Sequence, residues 1–250
     1  MQQNGNHPFQ FVAMDVHPFY INCAELEQHP AYLSGVHDAL ADLVRNNVDL
    51  SRVAQISGGE SRDWIFSRDV AKALHLPHLS MRKEQKTYGI ASNFIAGKIT
   101  PGEYIVHIAD LLTVGTSATQ WIEVIEGNKG VVDSYFVVFD RMQGGVEALA
   151  RRTPSIGVHS LAQMTPEFFE IGIREGALTQ ELYESIMNEY LPNPKEWGLN
   201  YLMNHPEEIA YLIETNGVGL LTQGYSAHQE ELLNRAKPYL KDYEGTVLKV

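Results

Sequence analysis

Short apolar runs alternate with helix-period segments through the first two thirds of the chain, and each run ends in a polar loop. "RVAQI" (52–56) leads into "SGGES", "LPHLSM" (76–81) into "RKEQK", "YIVHI" (104–108) into "ADLLTVGTS", and "VVDSYFVVFD" (131–140) into Arg141 and "MQGG". Between the runs, "PAYLSGVHDALADLVRNN" (30–47), "RDWIFSRDVAKAL" (62–74) and residues 117–126 place apolar side chains at helical spacing. "GVHSLAQM" (157–164) reads as a further strand. This order predicts an α/β fold, a mostly parallel sheet flanked by helices. In such sheets ligands bind beyond the carboxyl ends of the strands. All four strand-end loops carry glycine, hydroxyl or charge, so the candidate site lies there.

The flanks are less regular. "FQFVAM" and "FYINC" read as short strands around a turn at 15–18, and residues 90–103 as a mobile loop with glycines and a proline. From Thr165 the pattern is helical, with Thr165 as N-cap and Pro166 at the first helical position. "TQELYESIMNEYL" is a second helix, "NPKEW" a turn, and the remainder two or three helices. "YLMNHPEEIAYLIE" shows one apolar face, which suits a packed cap. The expected organisation is an α/β domain over 1–197 and a helical C-terminal extension over 198–250.

A net charge of -12 disfavours general nucleic-acid binding. A lone cysteine, Cys23, excludes an internal disulfide framework and a Cys-rich zinc site. No run reaches the ~18 apolar residues of a membrane span, and the N-terminus lacks a leader pattern, so a cytoplasmic protein is expected. The histidines are scattered without metal-ligand spacing and read as surface or core residues.

The stretch 104–121 carries the sharpest chemistry. A strand ends near Asp110, a turn Thr113-Val114-Gly115-Thr116-Ser117 follows, and a helix begins. Backbone amides at a helix start, beside the hydroxyls of Thr113, Thr116 and Ser117, suit a phosphate monoester. Asp110 repels phosphate and suits sugar hydroxyls or a developing cation. Together they describe a ribose 5-phosphate site; the same residues equally form an ordinary capped helix after a strand-end acid. Arg82, Lys83 and Lys86 concentrate positive charge in an acidic chain, which suits a pyrophosphate under a closing lid or a solvated loop. "SGGES" offers a backbone nest, with Glu60 unfavourable to an anion. Arg141 is placed to clamp a planar carboxylate or to pair with Asp140.

These loops resemble type I phosphoribosyltransferases, most closely orotate phosphoribosyltransferases. "YIVHIADLLTVGTSA" is similar to that family's phosphoribosyl-pyrophosphate motif, and "RKEQKTYG" to the lid segment Arg-Lys-Glu-x-Lys-x-His-Gly. "HPFYIN" and "VVFDRMQGG" are similar to two further family stretches, in the same order, over roughly residues 9 to 165. The resemblance implies transfer of phosphoribosyl from phosphoribosyl pyrophosphate to a base such as orotate, with release of pyrophosphate. It implies Asp110 on the ribose hydroxyls, Thr113, Gly115, Thr116 and Ser117 around the 5'-phosphate, and Arg82, Lys83 and Lys86 on pyrophosphate. Lys86 and Asp110 are the catalytic candidates. Arg141 would hold the orotate carboxylate, Mg2+ would arrive with the substrate, and the protein would be a homodimer.

The departures are specific. Ala109 stands where the family has its first acid, Tyr88 where the lid has histidine, and Val16-His17 where many orotate enzymes have lysine and serine. Glu60 interrupts the pyrophosphate loop. Two other readings follow from them: a catalytically weak regulator that binds nucleotide or phosphoribosyl pyrophosphate, and an enzyme for a different base.

Overall fold

The computed structural model describes residues 9–10, 16–83, 94–216 and 224–240. It begins with a short antiparallel pair, β1 (Phe9–Gln10) and β2 (Val16–His17). Helix α1 (Pro30–Asn47) leads to β3 (Val53–Gly58), α2 (Asp63–Ala73), β4 (His78–Met81) and β5 (Ile95–Ala96). Then come β6 (Tyr104–Leu112), α3 (Thr116–Gly127), β7 (Ser134–Asp140), α4 (Gly145–Ala150) and β8 (Gly157–Gln163). Among the described residues five α-helices follow: α5 (Pro166–Arg174), α6 (Gln180–Ser185), α7 (Pro194–Asn204), α8 (Pro206–Asn216) and α9 (Gln229–Ala236). No helix among the described residues is long and apolar enough to cross a membrane.

Contacts divide the chain into two compact units, one of residues 23–165 and one of residues 1–22 with 166–250. The first holds a six-stranded sheet of order β5-β4-β3-β6-β7-β8, parallel except for the antiparallel edge strand β5. Every residue of β7 is buried, as a strand covered on both faces requires. Leu79, Ile105, Ala109, Ile122, Ile125, Tyr135 and Val137 belong to one apolar cluster that joins the sheet to α3. The sheet is therefore the mostly parallel α/β sheet that the alternation predicts.

In the second unit Val16 joins Leu202, Ile209, Leu212, Tyr225 and Leu232 in a separate apolar cluster. The Val16 N–H donates to Tyr225 Oη at 3.2 Å, and His17 Nδ1 lies 2.7 Å from Tyr190 Oη. Phe19 packs edge-on against Phe169 and Tyr190. Gly198 leaves no room for a Cβ between Tyr225 Oη and the Val16 carbonyl.

Several local expectations change. Strand β6 does not stop at 108 but runs to Leu112, because β7 pairs with it as far as Leu112↔Asp140. "FYINC" is not a strand: Val16–His17 forms β2 inside the expected turn, and Cys23–Gln28 is a 3-10 helix. The expected loop 90–103 contains β5, which pairs with β4. "NPKEW" opens α7, with the Asn193 side chain accepting from the Glu196 N–H. "YLMNHPEEIAYLIE" is two helices broken at His205, since Pro206 holds the preceding residue out of the helical region.

Candidate functional site

The centre of the candidate site is the end of β3 and β6. Pairing between these strands last registers at Ser57↔His107. Beyond it β3 turns away through Gly58-Gly59, so the next β6 amides lose their backbone partner. Asp63, at the first position of α2, takes over: its Oδ1 accepts from the Asp110 N–H at 3.0 Å and its Oδ2 from the Gly59 N–H at 2.9 Å. Asp63 is only 8% exposed. Behind it, His107 Nε2 lies 3.7 Å from Oδ2, and His107 Nδ1 is 2.9 Å from Ser57 Oγ. The imidazole is fully buried and stacks on Tyr135.

Asp110 is half-buried. Burial first, then the charge of Asp63 and a hydrogen bond with it, push its carboxyl up to about 7; Arg62 opposes this. A carboxyl poised near neutrality beside a second carboxylate is a common signature of a working site.

The glycine pair has a packing cause. A Cβ at Gly59 collides with Trp121 and Asp63, and one at Gly58 with Ser67. The loop is thus built around Asp63 and Trp121. The Gly59 N–H, which a nest would offer to an anion, is already used by Asp63. Glu60 Oε2 accepts from the Lys83 N–H at 3.1 Å, which ties this loop to the segment after β4.

Thr113 to Ser117 join β6 to α3 as expected. Gly115 is the N-cap in the left-handed region, φ 88°, where glycine is unstrained, and no side chain caps the helix. The first-turn amides therefore have no acceptor from a cap side chain. Thr116 and Ser117 are exposed, and Thr113 half-buried. The turn rests on the start of α4, where a Cβ on Gly145 would strike the Thr113 carbonyl.

Arg82, Lys83, Phe94, Ser117, Gln120 and Trp121 help line one cleft of about 560 Å³. Two of the cations expected to bind pyrophosphate thus line the same cleft as Ser117, the last residue of the turn expected to hold phosphate. Arg82 Nη1 is buried with no hydrogen-bond partner among the described residues. Lys86 and Tyr88 lie outside the described residues. Arg141 follows β7, is 2% exposed and already makes interactions of its own. Asp140 is fully buried, accepts from the Met142 N–H at 2.9 Å, and burial raises its carboxyl.

Ala109 is 2% exposed inside the apolar cluster, not at the mouth of the site. Val16, at a position where the family has a polar residue, is buried in the separate cluster of the N-terminal and C-terminal segments. Among the described residues no group of three His, Cys, Asp or Glu side chains converges on a metal position. Mg2+ that arrives on a substrate's phosphates needs few protein ligands.

Sequence reading missed Asp63, His107 and Ser57. Asp63 looks like an ordinary acid in the first turn of a helix, and His107 like a strand residue. The available signal was position: Asp63 follows directly on one strand-end loop, and His107 precedes Asp110 by three.

The parallel sheet, the loops beyond its strands and the glycine-capped α3 define a type I phosphoribosyltransferase fold. Within that class the chain is most like the orotate phosphoribosyltransferases. It is 29% identical to the orotate phosphoribosyltransferase of Rhizobium rhizogenes over 136 residues, 54% of this chain and 58% of that enzyme, so this match spans less than two thirds of the relative's length. It is 26% identical to that of Rhizobium meliloti over 198 residues, 77% of this chain and 82% of the relative. The solved orotate phosphoribosyltransferase of Aeropyrum pernix superimposes with a TM-score of 0.56 at 26% identity, covering 69% of this chain and 92% of that one. No family model matches the chain.

Proposed function

We propose that this protein transfers phosphoribosyl from phosphoribosyl pyrophosphate to a pyrimidine base, orotate first among candidates. The observation that carries the reading is the cleft that Arg82 and Lys83 line together with Ser117, at the start of the glycine-capped α3. Thr113, Gly115, Thr116 and Ser117 hold the 5'-phosphate, and Asp110 accepts from the ribose hydroxyls. Arg82, Lys83 and Lys86 hold pyrophosphate, and Mg2+ bound to it would supply further neutralising charge. The C1–O bond breaks, pyrophosphate leaves with the electron pair, and the base nitrogen then bonds to C1 and gives up its proton to solvent. Asp110 in its ionised form stabilises the cationic ribose between the two events. Arg141 holds the orotate carboxylate by exchanging its present partners. The protein works as a homodimer in this reading.

The second reading is a regulator that binds phosphoribosyl pyrophosphate or a nucleotide without turnover. It is favoured by Ala109, which gives the core a methyl group where the family has an acid.

Loss of orotate absorbance with phosphoribosyl pyrophosphate and Mg2+ present tests the first reading. Loss proportional to protein, with equimolar pyrophosphate, supports orotate transfer. No loss with orotate, but pyrophosphate release with another base, supports a changed base. Silence with all bases, together with ligand binding, leaves the regulator.

A further inference from the structure

The acid missing at position 109 leaves a family-type sugar site with one carboxylate, yet a second one stands beside Asp110. Asp63 reaches it from α2, across the gap where β3 leaves β6, and holds the Asp110 N–H at 3.0 Å. The same carboxylate holds the Gly59 N–H at 2.9 Å. One side chain therefore couples the loop after β3 to the acid of β6. Gly58 and Gly59 make room for it, and Trp121 closes against the loop from α3. His107, bound to Ser57, backs the pair from the core.

Resting on the phosphoribosyl reading above, we propose that Asp63 is the second carboxylate of the sugar site, a positioning residue that fixes Asp110 in place of the acid that position 109 lacks. At 8% exposure it has little surface for a substrate, so it acts through Asp110. Its backbone bonds set where β6 presents Asp110. Its charge biases the Asp110 carboxyl toward the protonated form until a cation or a sugar arrives. The other ionisable groups around the pair are Arg62, Cys23, His107 and Tyr135. Among the described groups, Arg62 and a backbone hydrogen bond from Leu111 favour its charged form.

The test is a carboxyl-carbon NMR titration of Asp110 in the ligand-free protein, with calorimetric binding of phosphoribosyl pyrophosphate and Mg2+, on wild type, Asp63→Asn and Asp63→Ala. Amide spectra and melting temperature establish that the variants fold. The proposal expects the Asp110 midpoint to fall by about one pH unit or more once the neighbouring charge is removed. Asp63→Ala, which removes both backbone bonds, is expected to weaken affinity about tenfold or more, equivalent to about 1.4 kcal/mol. An unmoved midpoint overturns the pairing. A moved midpoint with unchanged affinity overturns the role at the sugar site. Failure of the functional reading is distinguishable, because wild type itself then binds no phosphoribosyl pyrophosphate. If either variant does not fold, Asp63→Glu keeps the charge and displaces the bond; unchanged affinity there overturns the proposal.

Discussion

Asp63 Oδ1 accepts the Asp110 backbone N–H at 3.0 Å, so a helix-start acid completes the strand ladder at the point where β3 ends. This bond fixes the acid of the candidate sugar site without using its side chain. The Asp110 carboxyl, which also pairs with Asp63, stands half-buried beside it.

Asp110→Asn is therefore expected to fold normally and to lose turnover. The amide mimics the protonated carboxyl that burial already favours, so at about pH 4 the stability change stays within about 1 kcal/mol. Loss of one charged transition-state contact lowers kcat/KM about a hundredfold, or ~3 kcal/mol. Urea unfolding and steady-state kinetics on the same preparation check both halves.

The pH profile follows from the same group. Ionised Asp110 is the form that stabilises a cationic ribose, so kcat/KM rises with pH through a midpoint of about 7. Stability runs the other way. The folded midpoint is raised from 3.8 to about 7, so the folded state holds the extra proton in that window. The stability this group contributes is full below the lower value and lost as pH rises through the upper one. His78 opposes it: burial lowers its folded midpoint from 6.5 to about 4, so its share is lost as pH falls. The difference between wild type and Asp110→Asn isolates the first slope, measured by urea unfolding from pH 4 to 8.

Ala109→Asp is expected to destabilise rather than to restore the family motif. The methyl group sits at 2% exposure among apolar residues, where a new carboxylate finds no partner. An uncompensated buried charge costs about 3–5 kcal/mol. Thermal melting shows the loss; a stable variant with higher turnover contradicts the placement of Ala109.

Gly59→Ala is expected to cost about 1–3 kcal/mol, since its Cβ displaces Trp121 or Asp63. The Asp63 bond to Gly59 weakens with it. Melting temperature reads the first effect and ligand affinity the second.

Arg82→Ala separates function from stability. Arg82 Nη1 is buried without a hydrogen-bond partner among the described residues, so removing it sheds an unmet desolvation cost. Stability holds or rises, while pyrophosphate affinity falls about tenfold to a hundredfold, the range of one charge-assisted bond. Competition binding with pyrophosphate measures it.

What the sequence made legible was periodic. Helix α1 covers the residues its spacing predicts, and β3, α2, β4, α3, β7 and β8 fall within a few residues of expectation. The turn 113–117 was readable as a helix start because glycine and hydroxyl residues collect there. Elements decided by distant partners were not readable. Strand β6 is prolonged by β7, and β5 exists only through pairing with β4. Arg82, Lys83 and Ser117 were singled out from local charge and hydroxyl, and they line one cleft. Asp63 could not be, because its role depends on β3 turning away from a strand that lies 47 residues further along the chain.

The most direct test is a calorimetric titration of the wild-type protein with phosphoribosyl pyrophosphate and Mg2+. Saturable one-site binding that is lost in high pyrophosphate and weakened in Arg82→Ala is the predicted result. It holds for both an enzyme and a regulator. No binding heat at millimolar ligand, from a protein that is folded by circular dichroism, contradicts the assignment of this site to a phosphorylated ribose.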